Sequence, residues 1–179
     1  MSEENLVRQC APTLAGIKTG TIFPAPFTSL AELRELNRIL VPKGLRLLPL
    51  RYQDHTALLY LYRPAELRVD LKDQLAEALL ADAGYSGKSS EQCVAYLAKR
   101  FRSGGEFPHE VGLFLSYPPQ DVRGFIENHA VNYKCAGLWK VYGDEALARR
   151  LFEKFRKCTD IYCALWRAGS GIDQLAVAV

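Results

Sequence analysis

An α/β domain is what this sequence predicts: a mixed sheet with an antiparallel hairpin and a buried central strand, flanked by about six helices. Three observations lead there. Apolar residues recur at helical spacing in several segments that carry their own start and stop signals. Two short β-rich runs lie on either side of a polar turn. One compact apolar run lacks alternation, as a strand covered on both faces does. With no internal repeat and no linker, all 179 residues are assigned to a single domain, 1–179. Its end is expected to be a mobile tail of about ten residues.

The elements follow in order. Residues 3–10 suit a short helix ended by Pro12 and Gly16, with Leu6 and Cys10 one turn apart. Gly16-Ile17-Lys18-Thr19-Gly20 leads into a short strand, Thr21-Ile22-Phe23, closed by Pro24 and Pro26. Ser29 and Glu32 have capping-box spacing, and Leu30, Leu33, Leu36 and Leu40 carry a helix to the stop at Pro42-Lys43-Gly44. Strands over 45–50 and 56–62 then form the hairpin. Pro64 suits the first turn of a helix that Leu67, Leu71, Leu75 and Leu79 extend to Gly84. Ser89 and Gln92 repeat the capping pattern for a helix ended by Gly104-Gly105. Val111-Gly112-Leu113-Phe114-Leu115 is the buried strand, and Pro119 opens a short helix with Val122, Phe125 and Ile126 inward. A strand within 133–142, interrupted at Gly137, precedes a long helix capped by Asp144 and running to Arg167.

Composition narrows the function classes. Hydrophobic residues make up 49% and charged residues 24%, so the chain has material for a core and is not disordered. No apolar run reaches the roughly 20 residues that span a bilayer, and no secretory signal is evident, so no membrane association is expected. The 23 Lys and Arg against 20 Asp and Glu leave a charge of +3, too little to imply a nucleic-acid partner. Five cysteines, an odd count without an export signal, point to the reducing cytoplasm.

Candidate chemistry centres on Cys10 and His109. A thiol becomes nucleophilic when an imidazole or a helix end raises its thiolate fraction. Pro12 would break the chain beside Cys10, and His109 precedes the apolar run. Glu110, Asn132 or Asn128 would then orient the imidazole as the third member of a triad. The competing reading is that Cys10 is a small apolar core residue and His109 a strand cap, since free cysteine is commonly buried. A metal or iron–sulfur site would need Cys10, Cys135 and His109 gathered from distant segments.

Lys18 lacks the surroundings of a P-loop, but it suits a carboxylate or phosphate as a point charge. The aromatic set Phe107, Phe114, Tyr117, Phe125, Tyr133, Trp139 and Tyr142 reads as core or, less commonly for such a set, as the floor of a pocket for a flat cofactor such as flavin or haem. A non-catalytic binding module therefore stands beside the thiol enzyme, using the Lys18 and His109 region with Tyr117, Tyr133 and Trp139, and its target is a small anionic ligand or a redox partner protein. No cofactor is indicated by any motif.

Two phrases carry a family resemblance. One runs from Phe107-Pro108-His109-Glu110-Val111-Gly112-Leu113-Phe114-Leu115-Ser116-Tyr117-Pro118 through Asp121-Val122 and Gly124-Phe125-Ile126 to Asn132-Tyr133-Lys134, Cys135, Gly137 and Trp139-Lys140-Val141-Tyr142. The other is Cys10-Ala11-Pro12-Thr13-Leu14-Ala15-Gly16-Ile17-Lys18. Together they resemble the bacterial domain-of-unknown-function 3793 family over nearly the whole chain. The resemblance implies a small cytoplasmic protein of anaerobic bacteria and brings no activity with it. Ser116 departs from the glycine expected there.

Overall fold

In the computed structural model, which describes residues 2–26 and 28–178, the chain alternates helices with two small antiparallel sheets. The fold class is α/β. Helix α1 (Glu3–Leu14) precedes β1 (Gly20–Pro26), α2 (Leu30–Leu40) and the hairpin of β2 (Arg46–Gln53) and β3 (Thr56–Tyr62). Helices α3 (Pro64–Asp70), α4 (Gln74–Asp82), α5 (Ser90–Arg102), α6 (Val111–Phe114) and α7 (Pro119–Glu127) follow. A two-stranded ribbon, β4 (Cys135–Ala136) and β5 (Lys140–Val141), leads to α8 (Glu145–Arg167) and α9 (Ile172–Leu175).

The local signals act as their chemistry requires. Ser29 and Ser89 each accept a bond from the backbone three residues on, while Glu32 and Gln92 return to the cap amide. Asp144 caps α8 by accepting from the Leu147 amide. Two boundaries differ from expectation. Helix α1 continues through Pro12, and the free Pro12 carbonyl collects the Ile17 and Lys18 amides at 3.0 and 3.2 Å. The long helix expected over 64–84 is two, because Asp73 caps a new one by accepting from Leu75 and Ala76.

The run at Val111 is a helix of four residues, not a strand. All four are buried, so continuous apolarity reported burial and not the period. Without that strand the sheet is not mixed: its order is β1-β3-β2, wholly antiparallel. Pro24 and Pro26 lie on one edge strand and Pro49 on the other, where a missing N–H costs no ladder bond.

Central strand β3 is covered on both faces. Ala57, Leu59 and Leu61 pack with α1, α2 and α9 through Leu6, Val7, Cys10, Leu33 and Ile172. Tyr60 and Tyr62 point the other way, into Leu67, Leu97, Leu113 and Phe114 of α3, α5 and α6. A third cluster joins Trp139 and Val141 of the ribbon to Phe152 and Phe155 of α8, with Ile17 and Tyr117 against it.

Arg63, 1% exposed, ties the first face together. Its guanidinium donates to the carbonyls of Thr13, Lys43, Leu14 and Val177 at 2.9, 3.3, 2.8 and 2.8 Å. Two of those carbonyls end α1, where the helix dipole favours a cation. The C-terminal segment is correspondingly no loose tail: Ile172, Leu175 and Ala176 are buried, and the Val177 amide donates to Leu14.

Candidate functional site

The segment after α5 enters a turn at Pro108-His109-Glu110 that delivers chain into α6. Its two titratable residues go opposite ways. Glu110 is 3% exposed and accepts from the Tyr85 hydroxyl at 2.8 Å and from Arg100 at 2.6 Å. It therefore anchors the turn to α5 and does not orient the imidazole. His109 sits between the Phe107 and Phe125 rings, with centroids 5.6 and 5.2 Å away. Its Nδ1 is buried and has no hydrogen-bond partner.

His109 opens onto a cavity of about 440 Å³. Phe107, Tyr117, Phe125, Leu138 and Trp139 supply most of its apolar wall, and Lys140 and Asp121 add polar groups. The ribbon side is held by Asp121, which is 2% exposed. One carboxylate oxygen accepts the Trp139 indole N–H at 2.7 Å; the other accepts the Tyr142 and Gly143 amides, each at 2.7 Å. Trp139 is thereby fixed, stacked on Tyr117 at 4.7 Å and edge-on to Phe152 at 4.5 Å. Gly137 is required beneath it, because a Cβ there would run into the Phe152 ring. Lys140 bridges the rim: its ammonium donates to the Ala130 carbonyl at 2.7 Å and lies 4.9 Å from the Tyr133 ring centroid.

Tyr117 is positioned by the turn before it. Ser116 holds a φ of +58°, the left-handed region that glycine occupies without strain. What a glycine cannot do is accept the Thr19 amide, which reaches the Ser116 hydroxyl oxygen at 2.7 Å. That bond docks the loop before β1 onto the cavity wall. Beside it, the Thr19 hydroxyl donates to Asp70 at 2.5 Å, and burial raises the Asp70 carboxyl above its ordinary value. Lys18, next in this loop, stands 5.6 Å from the Tyr117 ring centroid and 6.0 Å from that of Phe155.

Cys10 takes no part in this arrangement. It is 0% exposed, packed among the α1, α2 and α9 residues on one face of the sheet. The His109 turn leads into α6, whose side chains fill the other face. Burial pushes the Cys10 thiol well above its ordinary value, against a smaller opposing effect of Lys18. The break expected at Pro12 does not occur: α1 runs straight on through it and seals the sulfur. Asn132 is exposed, and the Asn128 amide donates to the Gly124 carbonyl at 2.8 Å; no hydrogen bond joins either to His109. Cys135, the other residue weighed with Cys10 and His109 for a metal, packs in the third cluster. Among the described residues no three His, Cys, Asp or Glu side chains gather as metal ligands.

Of the residues read as ligand-binding, Tyr117 and Trp139 line the cavity. Tyr133 lies on its rim through Lys140, and Lys18 approaches Tyr117 from outside the lining. Asp121 and His109's aromatic neighbours complete the site. An acidic residue in the first turn of α7 looks like ordinary helix-end chemistry, so beyond its place in the family phrase Asp121 carries no site signal of its own.

A larger hollow of about 540 Å³ lies beside the start of α5, near Arg68, Lys72, Lys88 and Glu91. Several of its polar groups are engaged: Lys88 donates to Gly84, Arg68 pairs with Glu91, and Ser89 caps the helix. The His109 cavity combines a ring-rich apolar lining with a few polar groups, which is the usual make-up of a small-molecule site.

A family model described as a protein of unknown function, DUF3793, matches residues 6–176, nearly the whole chain. The chain belongs to this family. No curated protein and no solved structure matches it. Parts of the longer of the two phrases, Phe107 to Phe125 and Trp139-Lys140, supply much of the wall of the cavity in this DUF3793 domain. No helix among the described residues is long and apolar enough to cross a membrane.

Proposed function

We propose that this DUF3793 domain is a non-catalytic binding module for a small planar molecule, seated between the His109 turn, α7 and the β4–β5 ribbon. One observation carries the reading: a buried imidazole nitrogen faces no partner at the wall of a ring-lined cavity of about 440 Å³. A buried polar atom left unpaired costs about 1–3 kcal/mol, and a ligand recovers that cost when the His109 ring turns its sealed Nδ1 towards it. The rings supply stacking area, and Asp121 pre-sets Trp139 so that little side-chain freedom is lost on binding. Thiol catalysis at Cys10 has no place in this reading, since its sulfur is sealed away. The protein would work in the cytoplasm of bacteria, where its five free cysteines stay reduced, and without a nucleic-acid partner.

The test uses 2-naphthol as a bicyclic probe and the emission of Trp139 in a Trp166→Phe protein. Saturable quenching with one site is expected, weakened at least fivefold by His109→Phe, which keeps a ring but removes the nitrogen. Absence of saturable quenching by 2-naphthol and its bicyclic analogues at millimolar concentration overturns the reading.

A further inference from the structure

Of the groups that line the His109 cavity, Lys140 has the most unused bonding capacity. An ammonium carries three N–H donors, and one of these goes to the Ala130 carbonyl at 2.7 Å. Among the described residues no carboxylate pairs with Lys140 and no second acceptor takes a bond from it. The Tyr133 and Phe125 ring centroids, 4.9 and 6.0 Å from its nitrogen, favour the charged form. A surface lysine ordinarily swings its head into water; this one is half-buried and tethered at the rim. The tether has a backbone cost. His129, Ala130 and Asn132 hold φ of +48, +63 and +59°, left-handed values that residues other than glycine adopt against strain. Such strain gathers where side chains are held for a ligand.

Resting on the small-molecule reading of this cavity, we propose that its occupant is an aromatic carboxylate: the ring packs among Phe125, Tyr117 and Trp139, and the carboxylate accepts the two free N–H groups of Lys140. Imidazole and ammonium belong to one wall, since the Phe125 centroid lies 5.2 Å from the His109 ring and 6.0 Å from the Lys140 nitrogen. A ring packed along Phe125 brings a substituent within reach of the ammonium. The other charge in the lining is already engaged: Asp121 is 2% exposed and accepts three N–H groups, so it offers a guest no acceptor. A planar cation would meet the Lys140 charge with nothing to offset it. A neutral planar molecule forgoes the stronger bond that an ionised acceptor makes to an ammonium. A phosphate monoester brings nearly two negative charges, more than one lysine balances.

The experiment titrates native full-length protein at about pH 7 with 2-naphthoate, 2-naphthamide and 2-naphthamidine, which put an anionic, neutral or cationic group of similar shape on one bicyclic ring. The reporter is the indole N–H resonance of Trp139, with that of Trp166, packed on the α1 face of the sheet, as internal control. Naphthoate is expected to bind at least fivefold tighter than the amide, the scale of an ion pair at a half-exposed rim, and the amidine is expected to bind weakest. Lys140→Met should cut the preference for the acid below twofold, whereas Lys140→Arg should keep most of it, which separates lost charge from lost structure. An acid that binds no tighter than the amide, or a preference that survives Lys140→Met, overturns the proposal. Where 2-naphthol still saturates the site in that event, the binding-module reading stands without it; no response to 2-naphthol or to any of the three probes ends both.

Discussion

Replacing Asp121 by asparagine asks whether one carboxylate holds the wall of the cavity together. The carboxylate accepts three N–H groups at 2.7 Å: the Trp139 indole on one oxygen and the Tyr142 and Gly143 amides on the other. Bonds to a charged acceptor contribute about 1.5–3 kcal/mol each, neutral ones about 0.5–1.5. Asparagine can keep its oxygen on the two amides, which leaves its NH₂ facing the indole N–H, donor against donor. One charged bond is lost outright and two are weakened, so Asp121→Asn should cost about 2–4 kcal/mol. With a urea slope of about 2 kcal/mol/M, the unfolding midpoint falls by about 1–2 M. The indole N–H resonance of Trp139 should move upfield and its emission shift to the red as the ring loosens. A loss below about 1 kcal/mol with the indole resonance unmoved would refute the reasoning, because water would then be replacing the carboxylate at no cost.

Other perturbations follow from the same structure. Arg63→Met strands four carbonyls, three of them in the termini of α1 and the chain; a loss of about 3–5 kcal/mol in urea unfolding is expected, and less than 2 would show that the tail simply undocks. Burial raises the Asp70 carboxyl above 3.8, outweighing the Thr19 bond, so the folded protein binds this proton more tightly than the unfolded chain does. The associated stability is full below the unfolded value and is lost as pH rises through the folded one. Asp70→Asn keeps an acceptor for Thr19 and should match the parent near pH 3.5 while exceeding it at pH 7; a variant weaker at pH 7 contradicts this. Iodoacetamide should label the partly exposed Cys135 and Cys163 in native protein and leave Cys10 for last. Early labelling of Cys10 would mean that α1 opens.

Local chemistry was legible wherever it is local. Ser29 with Glu32 and Ser89 with Gln92 mark helix starts because a cap is a bond between residues three apart, and the β2–β3 hairpin declares itself through β-rich runs around a polar turn. The 111–115 run reads as a strand yet folds as a helix, because burial on all sides erases periodicity for helix and strand alike. Gly112 is small there for a reason outside the segment: a Cβ would come within 2.7 Å of Val122 in α7. Ser116 shows the same dependence, its left-handed backbone being offset by a bond to Thr19, 97 residues away.

The candidate site divides along the same line. Tyr117 and Trp139 could be picked out as rings, and His109 as a polar residue beside an apolar run. Their convergence needed the ribbon to fold back onto α7, a contact made by Asp121 over 18 and more residues. Cys10 could not be dismissed from its spacing, because Pro12 permits either a break or a helix with one bond missing. Packing against β3 chose the helix and buried the sulfur. Neighbours in the chain thus settle where elements begin and end, since those bonds span a few residues; which groups share a cavity depends on long-range packing, and no short stretch encodes it.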